Sequence, residues 1–391
     1  MIRRGVRQRE LAASSRGLGD DIYTSILHRT RTRPERIHHL NVGDSWMPAP
    51  PAAEEALAAI AADPHAFQYT APRGTDELTD GIRRRLRARY DADVTPDRLQ
   101  ITAGATGGIS VVVQTLVEPG AEVILCAPYW PLIRGIVSSR GGVPVEVPFF
   151  DRLGDPSFDP AAAIAGAVTD RTVAIYVNTP NNPTGRIASA EVLAEIARIA
   201  RERDLWLLLD ETYEDMVYGR PVAPLWLRDD VRDRAIAVHT FSKAYAMAGA
   251  RVGYVHGPAD VMARVRGVHL FQVYAAARPM QTVAARVLAG SDAWLADATR
   301  AHAEAGRRAA QAFGLPIPEA GTFVFLDCAP YLAPGETVTD LLVRCLEAGV
   351  LLAPGAACGA AYATWARACF TVVPPDALDD ALARLAPIFR R

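Results

Sequence analysis

From about residue 95 onward, short continuous apolar runs alternate with longer segments whose apolar residues recur at helical spacing. "RLQITAG", "AEVILCAP", "GVPVEVPF", "TVAIYVNTP", "LWLLLDE", "AIAVHTFS" and "RVGYVHG" read as strands. Between them "ATGGISVVVQTLV", "WPLIRGIVSSRG", "DPAAAIAGAV" and "ASAEVLAEIARIARERD" read as helices, several closed by Gly or Pro. Unbroken apolar strands between helices predict an α/β fold, with a mostly parallel, seven-stranded sheet covered by helices on both faces.

Near residue 290 the pattern changes. "SDAWLADATRAHAEAGRRAAQAF" is a long amphipathic helix, followed by "GTFVFLDC", "TVTDLLVRCLEAG", "VLLAPG" and "RACFTVV". That order predicts a smaller α+β domain. The expected division is 1–50 for an N-terminal arm and part of the small domain, 51–290 for the large domain, and 291–391 for the small one. Residues 1–35, polar and arginine-rich, read as the arm.

Composition narrows the function classes. Half of the 391 residues are apolar and 22% are charged, and Lys+Arg 42 against Asp+Glu 44 leaves a net charge of −2. This argues against nucleic-acid binding by bulk positive charge. The N-terminus lacks the apolar core of a secretory signal, no run is long enough to span a membrane, and the five scattered cysteines have no C-x-x-C pair. A cytoplasmic protein with reduced, packed cysteines and no metal site is the expectation.

In open α/β sheets ligands bind beyond the carboxyl ends of the strands. There the chain delivers Gly104–Ala105–Thr106 at a helix start, where small residues and free N–H groups suit an anion, although such a glycine is often only a turn. Next comes Trp130, either core or a stacking surface, and then the rigid "NTPNNPTG" turn with the amide of Asn182. Asp210 leaves an apolar strand with Tyr213 three residues on; it is either a cap or an anion beside a cation. Finally "HTFSKAYAMAGARVGY" sets Lys243 between two strands, with Thr240, Ser242 and Arg251 around it. A lysine is rarely buried without a reason. These parts describe a flat ring with a phenolate, a ring nitrogen needing a counter-anion, a phosphate, and an aldehyde for a lysine, which is pyridoxal 5'-phosphate.

With "QYTAPRG", "GAT", "PYWP", "NNPTG", "DETY", "TFSKAYAMAGARVGY", "LLAPG" and "RACF" in order, the chain resembles the fold-type-I pyridoxal-phosphate enzymes, specifically the class I/II aminotransferases, over residues 22–391. The resemblance implies that Lys243 carries the cofactor as a Schiff base, Asp210 pairs with the pyridinium nitrogen, and Asn182 and Tyr213 bind the phenolate. It further implies that Trp130 stacks on the ring. Gly104, Ala105, Thr106, Thr240, Ser242 and Arg251 would hold the phosphate, with Tyr69 reaching the phosphate of a neighbouring subunit. Arg367, otherwise readable as a surface salt bridge, would clamp the substrate carboxylate with the backbone of Val42 and Gly43, and Trp46 would lie at the substrate entrance. The implied reaction moves an amino group between an amino acid and a keto acid in a homodimer with shared sites.

Ser45, Thr179 and Cys358 depart from the family's usual residues, which touches the substrate rather than the cofactor. A C–S β-lyase or a decarboxylating enzyme would use the same cofactor residues. The effector-sensing domain of a transcription regulator is disfavoured by the roughly 40 residues before "LNVGD", fewer than a usual domain. Arg278 is the one further arginine considered for an acidic side chain.

Overall fold

The computed structural model describes residues 12–15, 18–19, 25–28 and 36–390. Most of the expected arm, residues 1–35, therefore lies outside the described residues. Twelve strands are present among them: β1 (His38–His39), β2 (Leu99–Thr102), β3 (Glu122–Ala127), β4 (Val143–Pro148), β5 (Thr172–Asn178), β6 (Trp206–Asp210), β7 (Ala235–Thr240), β8 (Gly253–His256), β9 (Phe323–Asp327), β10 (Val350–Leu351), β11 (Ala353–Pro354) and β12 (Trp365–Cys369). Seven of them form one sheet in the order β2-β8-β7-β6-β5-β3-β4. All its pairings are parallel except the two made by β8. The expected α/β architecture is present, with β8 reversed inside it.

Among the described residues eleven α-helices connect and cover the strands: α1 (Pro51–Ala62), α2 (Asp76–Tyr90), α3 (Gly104–Leu116), α4 (Leu132–Ser138), α5 (Pro160–Ala165), α6 (Ala190–Glu202), α7 (Ala259–Val273), α8 (Arg278–Gly290), α9 (Asp292–Phe313), α10 (Val338–Glu347) and α11 (Pro375–Leu385). Several start on side-chain caps. Thr75 accepts from Leu78 N, Asp159 from Ala161 N and Ala162 N, and Thr337 and Asp340 form a reciprocal capping box.

The sheet is apolar on both faces, as its strands require. On β6, Leu208 faces a core with Ile109, Val112, Val238 and Met262 from α3, β7 and α7. Leu207 and Leu209 face the opposite core, with Leu78, Ile82, Ile196 and Val283 from α2, α6 and α8. A third core joins α9, α10 and α11 to the antiparallel sheet β11-β12-β9, and it takes in Leu40 beside β1, which pairs with β10. Arg367 on β12 and Phe323 on β9 thereby come against the carboxyl ends of the large sheet.

Candidate active site

At those carboxyl ends lies a cavity of about 200 Å³. Strand ends β5, β6 and β7 supply Asn178, Asp210 and Thr240, and the following turns supply Asn182, Tyr213, Ser242 and Lys243. Ala105 and Thr106 of α3, Trp130 before α4, Arg251 before β8, and Val42, Gly43 and Arg367, all sequence-predicted, also line it.

Three expected residues are not in the lining. Gly104 lies beneath it, with φ +69, where a Cβ would come within 2.6 Å of Arg251 Nη2. Only glycine lets that guanidinium stand against the start of α3, which has no side-chain cap. Trp46, expected at the entrance, is tied by its backbone N–H to Thr371 O at 2.8 Å, and its side chain is partly exposed. Tyr69 is 85% exposed and packs on Tyr274 with ring centroids 4.8 Å apart, away from its own chain's cavity. Ile109, Leu132, Asn178, Thr212 and Phe323 line the cavity without having been foreseen.

Lys243 is the only lysine in the sequence. Its Nζ donates to Gly43 O at 2.6 Å, which ties the turn after β7 to the segment before α1. Burial pushes its amine below the ordinary lysine range, with Asp44 opposing. A lysine so placed gives up its proton more readily than a surface one.

Asp210 is buried, and burial pushes its carboxyl up, while hydrogen bonds from Thr212 and Tyr176 pull it back down. Across the cavity Arg367, only 2% exposed, donates to Asn182 Oδ1 at 3.1 Å and to Asn41 O at 2.9 Å. Its guanidinium lies 4.2 Å from the centre of the Phe323 ring. The surface salt bridge considered for it is therefore excluded. The Asn182 amide nitrogen lies 3.5 Å from Tyr213 Oη, so the two polar groups converge on one spot. Burial pushes the Tyr213 phenol up.

On the cavity's other side Thr240 Oγ1 donates to Ser242 Oγ at 2.8 Å, and Arg251 Nη1 donates to Ala248 O at 2.8 Å and to Ser242 Oγ at 3.4 Å. Two hydroxyls, a guanidinium and the first N–H groups of α3 thus border one corner, and all of them can donate. The five cysteines are free and buried, and no metal-binding group of His, Cys, Asp and Glu occurs among the described residues. Among those residues, no helix is long and apolar enough to cross a membrane.

The sequence profile of the family "Aminotransferase class I and II" matches residues 36–385. The aspartate/prephenate aminotransferase of Thermus thermophilus is 32% identical over 303 residues, covering 74% of this chain and 75% of that one. An arginine–pyruvate transaminase of Pseudomonas aeruginosa is 30% identical over 379 residues, covering 94% and 93%. Among solved structures, the aspartate aminotransferase from Thermus thermophilus with maleate superposes with a TM-score of 0.87 at 28% identity, over 97% of this chain and all of that one. Sequence, fold and a lysine-centred cavity at the strand ends agree, and the chain belongs to the class I and II aminotransferases.

Proposed function

We propose that this aminotransferase works with pyridoxal 5'-phosphate in the cavity described above, attached through Lys243. The observation that carries the reading is that the sequence's only lysine lines the same cavity as a buried aspartate and a donor-rich corner. The residues fit that cofactor. Gly104 clears the space that lets Arg251 stand beside the uncapped start of α3, and Thr240 and Ser242 add hydroxyls there, which suits a phosphate. Asp210 suits a protonated ring nitrogen, Asn182 and Tyr213 suit a phenolate oxygen, and Trp130 offers a face for the ring.

When bound, that cofactor supplies a carbonyl that takes the amino group and a ring that accepts the electron pair of the Cα–H bond. The protein's own groups do the rest. Arg367 binds the α-carboxylate of the amino acid, with the Val42–Gly43 backbone beside it, and so orients the Cα–H bond toward Lys243. The Lys243 amine, its affinity for protons lowered by burial, takes the proton from Cα and returns it on the other side of the exchange. Asp210 holds a proton on the ring nitrogen. Phe323 and Leu132 help keep water out. The substrates are an α-amino acid and an α-keto acid.

Arg367→Lys is expected to raise KM for the amino donor at least about tenfold, because a point charge replaces a planar two-pronged donor in a buried site. Steady-state kinetics with a panel of amino acids measures this. An unchanged KM for every donor would remove Arg367 from the substrate site.

We further propose a cytoplasmic, two-fold homodimer that shares its sites, with the large part of the chain (51–290) binding the cofactor and the C-terminal part (291–391) closing over it. Exposed apolar side chains support the dimer: Tyr69 packs on Tyr274, and Phe67, Phe271 and Val273 of the same two segments are also exposed. In a dimer Tyr69 would serve the partner's phosphate corner. Tyr69→Phe should weaken cofactor retention by roughly 1.5–3 kcal/mol, the contribution of one hydrogen bond to a charged group. Mixing Tyr69→Phe chains with Lys243→Ala chains should restore about one intact site per mixed dimer. Full activity from a monomer in the ultracentrifuge would contradict sharing.

A further inference from the structure

The carboxylate of Asp210 is met from below by a side chain that the mechanism has not used. In the parallel register of β5 and β6, Asn178 stands opposite Asp210 and Tyr176 opposite Leu208. Residues two apart on a strand share a face, so Tyr176, Asn178 and Asp210 all project to the same side of the sheet. The phenol is long enough to reach diagonally across one register step. Its hydroxyl donates to Asp210 Oδ2 at 2.6 Å, and both side chains are buried.

Thr212 occupies the other oxygen, Oδ1, through its hydroxyl at 2.6 Å and its backbone N–H at 3.2 Å. Asn178 holds the backbone in place. Its amide donates to Asp210 O at 2.9 Å, and its Oδ1 accepts from Asn182 N at 2.8 Å. The aspartate is therefore fixed at both oxygens and at its carbonyl before anything enters the cavity.

We propose that Tyr176 is a positioning residue that keeps Asp210 ionised and aimed into the cavity, and thereby sets how firmly the cofactor's ring nitrogen holds its proton. This rests on the cofactor reading given above. Taken alone, burial favours the neutral acid, and the two hydroxyl donors are the largest opposing influences. The other titratable neighbours are few: Glu211 and Tyr213 in the same turn, both pushed up by burial, and His239 on β7, which favours the charged carboxylate. Removing the Tyr176 hydroxyl makes Oδ2 a stronger base in an unchanged apolar slot. The proton then moves from the ring nitrogen to the carboxylate, and a neutral ring accepts electrons less well.

The test uses the holoenzyme loaded with pyridoxal phosphate carrying ¹⁵N in its ring, and reads the ring-nitrogen resonance against pH. In Tyr176→Phe the midpoint at which the ring nitrogen loses its proton should fall by about one pH unit or more. The same variant should lose about tenfold to a hundredfold in kcat, with KM nearly unchanged. Fluorotyrosine at position 176, a stronger donor of nearly the same shape, should move the midpoint the other way. If the Phe protein fails to fold, the fluorotyrosine protein decides alone. A midpoint that stays at the wild-type value in a folded, loaded variant overturns the proposal and leaves the cofactor reading intact. A wild-type protein that takes up no pyridoxal phosphate overturns both.

Discussion

Lys243→Ala is expected to abolish transamination, by about 10⁴-fold or more, while the protein stays folded. The residue is asked both to hold the cofactor and to move the proton at Cα, and proton transfer by a positioned group alone is worth about 10²–10⁴. No other lysine can substitute, because the sequence contains none. The structural loss is small by comparison. The side chain makes one hydrogen bond, to Gly43 O, and its charged form is already disfavoured by burial. Thermal unfolding of the cofactor-free variant should therefore stay within a few degrees of wild type. Millimolar ethylamine should restore part of the rate, since a small amine can occupy the vacated space and carry the proton. Substantial activity without added amine would remove Lys243 from the chemistry.

Asp210→Asn is the second large effect. The amide keeps the size of the carboxylate and can still accept from Thr212, so the cofactor should bind, though more weakly. An amide cannot balance a protonated ring nitrogen in a buried slot, and kcat should fall by about 10²–10³, the usual loss when one preorganised electrostatic partner of the reacting system is removed. Absorbance titration of the cofactor separates the two outcomes from each other. Near-normal turnover with the cofactor bound would show that the ring is protonated from elsewhere.

Much of this site was legible because its residues sit where strand grammar puts them. Asp210, Asn182 and Lys243 each follow an apolar strand, and each strand was recognisable from its own few residues. Tyr176, Asn178 and Thr212 lie in the same segments, but the pattern does not mark them as site residues. For Tyr176 and Asn178 the meaning comes from the register of β5 on β6, a long-range property that local pattern does not contain. Ile109 reads as the core face of α3, and only the cavity shows that it also borders the site. Phe323 arrives from β9, a distant part of the chain.

The reversed β8 was hidden for a similar reason. A dozen residues separate it from β7, enough for either a hairpin-like return or a short crossover, so length does not decide direction. Helix α7 is not legible in the local pattern. On α7 the buried positions are few and Leu270, Phe271 and Val273 face outward, so the helix has no single apolar stripe. An outward apolar face of that kind is what a subunit contact requires, and local periodicity cannot tell it from a poor helix.

The most direct measurement of the central claim is reductive trapping. Protein incubated with pyridoxal phosphate and reduced with borohydride should carry one pyridoxyl group per chain, on the tryptic peptide spanning residues 235–251 that contains Lys243. Prior incubation with an amino donor should abolish the label and release one equivalent of keto acid. An adduct confined to the N-terminal amine, or a label indifferent to the amino donor, would contradict the account.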